Sequence, residues 1–180
     1  SNNALDSAYQ HFSDLYFNDD RYPGESMDRI AQSQQMFGLV LASIGMYHYA
    51  KTEISKAIEV FEANQFYQGW AVAFKCYLQI WLEEYEDAHE LADKYLVLAQ
   101  GKELERDIIR AIRLQGQSNL GLSNIAIADL LLHQALTRAR AINFIEEELP
   151  TLISLAELAR QQAKPTEARA HLEDVWEYAE

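Results

Sequence analysis

Alanine recurs at Ala50, Ala88, Ala128 and Ala168, at spacings of 38, 40 and 40 residues, and twelve residues before each stands a second small residue: Gly38, Cys76, Gly116 or Ala156. Small side chains in paired columns let two antiparallel helices approach closely, because little bulk separates their backbones. A period in this range restricts the chain to a stack of helical hairpins, none of which buries its apolar face without a neighbour. Arrays of this kind supply surfaces for binding and carry no intrinsic chemistry.

Apolar residues at helical spacing fill in the pattern. Residues 4–17 read as a helix with Ala8, Phe12, Leu15 and Tyr16 on one stripe, and the run from Asn18 to Gly24 breaks it. Four hairpins follow, at about 26–63, 66–99, 103–142 and 146–179. Gly45, Asn64, Gly101, Ser123 and Asn143 mark turns, and Pro165 suits a first helical turn, where its missing N–H has no partner to lose. Pro150 is placed in a first turn as well, behind Glu146, Glu147 and Glu148. That acidic run suits the positive end of a helix dipole and otherwise reads as a solvated face, not a metal site.

The length and the even pattern predict one elongated domain over residues 1–180. No apolar stretch approaches the roughly 20 residues of a membrane helix, and the start of the chain, Ser1-Asn2-Asn3, lacks the basic and apolar parts of a signal peptide. A formal net charge of −13 repels phosphate backbones and anionic headgroups, which argues against nucleic-acid and membrane partners. The single cysteine, Cys76, lies in a small-residue column and is read as a packed side chain. With no disulfide framework, a cytoplasmic location is the default expectation.

Read along the first full hairpin, Phe37-Gly38, Leu41, Gly45, Tyr47, Ala50, Ile54 and Ala57-Ile58 resemble a tetratricopeptide repeat. Gly116, Ile125, Ala128, Leu132 and Ala135-Leu136 repeat the order, as do Leu155-Ala156, Ala168, Leu172 and Val175; the second hairpin is weaker, with Lys75 where an aliphatic residue is usual. The period exceeds the usual ~34 residues by about one helical turn, and so resembles the long-repeat arrays of maltose-regulator-like activators and of signalling ATPases. The resemblance implies an all-α, right-handed superhelical solenoid. Residues 4–17 look like half a hairpin and the helix carrying Val175, Trp176 and Tyr178 looks uncapped, so the sequence reads as part of a longer protein, with self-association through that second end as a possibility.

Sites of chemistry are not expected. The chain has no phosphate-binding glycine loop, no nucleophile elbow and no Cys set beside a His and an acid, and 28 carboxylates make any pairing of two uninformative. His48, His89, His133 and His171 fall one per hairpin but share no column, so no ladder of ligands follows. The expectation is no enzyme, no metal and no cofactor.

In this repeat class the first helix of each hairpin lines the inner groove. Projected onto the sequence, that groove presents Gln35, then Trp70, Tyr77 and Trp81, then Arg110, Arg113 and Gln117, then Glu157 and Arg160. The three aromatics form one stripe, either core or an exposed platform. Arg110 and Arg113 are one turn apart and either fork onto a partner's carboxylate or pair with Glu103, Glu105 or Asp107. The residues that would make a clamp for chaperone tails are absent, with Gln35 and Leu39 in their places. The function expected is protein–protein interaction, the groove taking a peptide, a helix or a neighbouring domain; the alternative is a small-molecule sensor arm of a transcription regulator or signalling ATPase.

Overall fold

The structure, a computed structural model, describes residues 27–178. The expected helix at 4–17 and the loop after it lie outside them. Among the described residues are eight helices and no strand: α1 (Met27–Ser43), α2 (Tyr47–Ala63), α3 (Gly69–Trp81), α4 (Tyr85–Gly101), α5 (Glu105–Gly121), α6 (Ile125–Ala141), α7 (Ile145–Gln161) and α8 (Pro165–Glu177). Two compact units divide the chain, the first ending at Gln68 and the second beginning at Gly69.

Each of α1 to α7 ends the same way. The second residue after the end of the helix adopts a left-handed conformation: Gly45 (φ 82°), Gln65, Glu83, Glu103, Ser123, Asn143 or Ala163. Its N–H bonds back three residues, and the next residue's N–H bonds back five, as Glu83 to Ile80 (3.1 Å) and Glu84 to Gln79 (2.8 Å) illustrate. This double closure satisfies carbonyls that the helix end leaves open. After every helix but α2, the second of those residues also accepts the first bond of the following helix; Glu84, for example, accepts from Ala88 at 3.0 Å. One residue thus ends one helix and begins the next. From Glu83 to Ala163 the left-handed residue recurs every 20 positions.

Two turn assignments shift as a result. Gly101 is the last residue of α4, and Glu103 takes the left-handed position. Pro150 stands in the interior of α7, not in its first turn, because Phe144 opens that helix by accepting from Glu147 and Glu148. The helix tolerates the proline one turn later at the loss of one internal bond.

The small-residue columns are where the helices of a hairpin touch. In the first unit, a β-carbon added to Gly38 would come within 2.6 Å of the Ile54 side chain. In the second, one added to Gly116 would come within 2.8 Å of Leu132. Cys76 is buried, its thiol donating to the Ala88 carbonyl at 3.2 Å, so the two columns meet directly. Burial is the main cause that pushes this thiol up to about 12.

Within the second unit the hairpins α3/α4, α5/α6 and α7/α8 follow one another, and α5 packs on both α3 and α7. Comparable packing does not join α4 to α6 or α6 to α8. First helices that lie closer together than second helices place themselves on the inner side of a curved stack. The core shared by α5, α6 and α7 is leucine-rich, with Leu120, Leu132, Leu136, Leu152, Leu155 and Leu158 all buried.

Candidate functional site

Four of the expected groove residues, Tyr77, Arg110, Arg113 and Gln117, converge with others on one buried polar network between α3, α5 and α7. Arg110 and Arg113 are one turn apart on α5 and point at α7, where the Glu147 carboxylate takes one from each side: Arg110 Nε donates to Oε1 at 2.6 Å and Arg113 Nε to Oε2 at 2.6 Å. Arg110 also donates to Asp107 at 3.1 Å and to the Tyr95 hydroxyl at 3.4 Å. Arg113 donates to Gln117 Oε1 at 2.7 Å and to the Tyr77 hydroxyl, while Gln117 Nε2 reaches Ser154 on α7 at 2.8 Å. The Arg113 side chain has no exposed surface, and Glu147 retains 2%.

A buried ion set survives only when its donors and acceptors are satisfied. Burial opposes the charge on Arg110, and Glu147 with Tyr95 more than offsets it, holding the group above its ordinary range. The same opposition acts on Arg113, with Tyr77 and Glu147 on the favourable side. Tyr77 and Tyr95 are pushed up chiefly by burial, so both remain neutral hydroxyls that accept from the guanidinium groups.

Aromatic rings flank the network. The Arg110 guanidinium lies 4.4 Å from the centre of the Trp70 ring and 5.7 Å from that of Phe144, and the Arg113 guanidinium 4.9 Å from that of Tyr77. Stacking of this kind adds attraction where the cation is already desolvated. Along α3, Phe74, Tyr77 and Trp81 have ring centres 6.3 to 6.4 Å apart. Trp70 and Trp81 are 58% and 54% exposed, whereas Tyr77 is half-buried. The stripe therefore turns its ends outward and its middle toward the arginines.

The other groove residues stand apart. Glu157 and Arg160 form a bidentate pair on α7, with both bonds at 2.6 Å, and that pair holds the Glu157 carboxyl below its usual range. Gln35 is half-buried on α1, in the first unit. Of the three acids considered for the arginines, Asp107 pairs with Arg110, while Glu105 instead binds Arg138 at 2.6 and 2.8 Å.

Sequence reasoning missed Glu147. It was read as solvated helix-end charge, yet both Glu147 and Glu148 are buried, and Glu148 takes Arg140 at 2.7 Å. The available signal was spacing: Glu147 follows Arg113 by 34 residues and Arg110 by 37, just short of one repeat.

Two clefts open elsewhere, one of about 480 Å³ among Arg140, Asn143, Glu148 and Asp174, the other of about 270 Å³ among Lys75, Gln79, Glu90 and Lys94. Among the described residues no group of three His, Cys, Asp or Glu side chains is placed to hold a metal ion, and no helix is long and apolar enough to cross a membrane.

The array of hairpins has counterparts among solved structures. BtubC (BKLC) from P. vanneervenii superposes with a TM-score of 0.73 over 97% of this chain and 74% of its own, at 12% identity. Residues 41 to the end of MamA from Desulfovibrio magneticus RS-1 superpose with a TM-score of 0.59 over 95% of this chain and 93% of that one, at 17% identity. The fold is a tetratricopeptide-like helical solenoid. By sequence, no family profile and no curated protein matches the chain.

Proposed function

We propose that the first-helix side of the second unit binds a segment of another protein, with Trp70 and Trp81 as its anchors and the chain acting as an interaction scaffold. The observation that carries this reading is Trp70, more than half exposed and stacked at 4.4 Å on a guanidinium whose donors are already engaged by Glu147 and Asp107. An aromatic ring held over a fixed charge loses little freedom on binding, and aromatic residues concentrate energy at protein interfaces. In this reading Arg110, Arg113, Tyr77 and Gln117 form the floor of the groove. They set its shape, and their internal pairing leaves recognition to the rings and to the Glu157–Arg160 pair. The solved relatives in fold agree with a scaffold role, since arrays of this kind serve as extended binding surfaces.

The test is selection of peptides from a displayed random library against the chain, followed by titration of the selected synthetic peptides, carrying a fluorescent label, by fluorescence anisotropy. Trp70→Ala and Trp81→Ala are each expected to weaken binding at least about tenfold, the loss typical of an interface anchor. Unchanged affinity in a double variant with unaltered helix content overturns the groove as the binding surface.

A further inference from the structure

The second hairpin departs from the repeat at two positions of α3. One residue before the first small-residue column stand Phe37, Lys75, Gln115 and Leu155, and three residues after it stand Leu41, Gln79, Asn119 and Ala159. Polar residues occupy both positions in α5 as well, and there the chain satisfies them: Gln115 donates to Asp93 at 2.6 Å, and Asn119 donates to the Gln115 carbonyl at 2.8 Å and accepts from Asn124 at 3.1 Å. In α3 the chain does not. Gln79 is 6% exposed, yet its Oε1 has no hydrogen-bond partner. Among the described residues, the side chains of Lys75, Asp87 and Glu90 have no hydrogen-bond or ion-pair partner either. A buried polar atom left unsatisfied is costly, so its persistence calls for a group that satisfies it.

Lys75 and Gln79 line the cleft of about 270 Å³ between α3 and α4, and α4 contributes Asp87, Glu90, Lys94 and the apolar side chain of Leu91. Two lysines and two carboxylates thus border one space, and no contact between Lys75 and either acid closes it. We propose that this cleft binds a free α-amino acid. Its carboxylate pairs with Lys75, its ammonium with Asp87 and Glu90, the Gln79 amide oxygen accepts from the ammonium, and Leu91 meets the side chain. Charge selects this class: an anion alone meets two unmatched carboxylates and a cation alone meets two lysines, whereas a zwitterion matches both signs. The volume lies just below the usual range for drug-sized ligands, which suits a molecule this small. The site shares no residue with the proposed peptide groove, so neither reading depends on the other.

The experiment is calorimetric titration of the whole chain with the standard L-amino acids in turn, and with propionate and propylamine, each of which carries one of the two charges. The expected result is saturable binding of at least one amino acid, with both single-charge compounds weaker by at least about tenfold. Lys75→Leu and Gln79→Leu install the residues found at the same positions in other hairpins, Leu155 and Leu41, so both variants should keep their helix content. Each is expected to weaken binding at least about tenfold. A chain that binds no amino acid at millimolar concentration overturns the proposal, as does binding that both variants retain. Propionate or propylamine bound as tightly as the amino acid also overturns it, because the cleft then reads a single charge.

Discussion

Glu147 Oε2 lies 2.6 Å from Arg113 Nε, joining side chains 34 residues apart through which α5 and α7 are held in register. The other oxygen of the same carboxylate holds Arg110, which also pairs with Asp107, so Glu147 is the acid that the two buried cations share. Replacing it by Glu147→Gln keeps the shape and removes the charge, which leaves both guanidinium groups under-compensated in a region closed to water. The expected cost is about 3–5 kcal/mol, the range for a buried pair that loses one partner. Urea denaturation followed by circular dichroism measures it. A variant that removes every charge of the set, Asp107→Asn/Arg110→Met/Arg113→Met/Glu147→Leu, is expected to recover most of the loss, because a neutral set of similar volume avoids desolvating ions. A Glu147→Gln protein as stable as wild type contradicts the assignment of this network as a structural bridge.

Gly121 closes α5 against the ring of Tyr85, and a β-carbon added there would overlap the ring atoms. Gly121→Ala gains about 1 kcal/mol of helix preference at most, but it forces the ring out of its packed position, which costs about 1–3 kcal/mol. The net expectation is destabilisation. Tyr85→Ala removes the obstacle, so the double variant should lose less than the two single changes added together, a non-additivity that thermal denaturation of all three resolves.

The hairpins were legible because periodicity and small-residue columns are local properties, repeated four times: the first, read at about 26–63, holds α1 and α2, which ends at Ala63. The turn residues were less legible. Glycine is the usual signal for a left-handed helix end, yet Gln65, Glu83, Glu103 and Ala163 occupy that conformation, held there by the two backbone bonds and by the next helix. The polar network was less legible still. Trp70, Tyr77, Arg110, Arg113 and Gln117 do share one side of the array, but nothing local to α5 announces that Glu147 will neutralise its arginines. That contact depends on the relative rotation of two helices, and one residue of slip turns a helix by about 100°.

Those turns yield a paired expectation. Ala163 is left-handed at φ 58°, a conformation that costs a residue with a β-carbon about 1–2 kcal/mol. Ala163→Gly removes that cost and adds unfolded-state entropy, for a net gain of about 0.5–1 kcal/mol. Gly45→Ala is the reverse experiment. No atom within 4 Å would meet the new methyl group, so its expected loss of about 1 kcal/mol reports backbone conformation alone. Opposite shifts in melting temperature confirm the common cause, and shifts of the same sign contradict it.

The His133 ring on α6 and the His171 ring on α8 meet edge to face, 6.5 Å apart. Burial lowers the pKa of His171, and His133 and Arg140 add to that effect while Glu167 and Asp174 oppose it. A histidine whose folded pKa lies below its unfolded value of about 6.5 takes up its proton more readily in the unfolded chain. Its contribution to stability is therefore complete above about pH 6.5 and is lost as the pH falls through that value toward the lower folded pKa. Because the ring is only partly buried, water still screens the effect and the loss stays below about 1 kcal/mol. Denaturation midpoints of wild type and His171→Gln, compared at pH values on either side of that window, should show a difference that grows on acidification in favour of the variant. A difference independent of pH would mean that the lowered affinity for the proton does not reach the folding equilibrium, and that α8 is held without reference to the charge on His171.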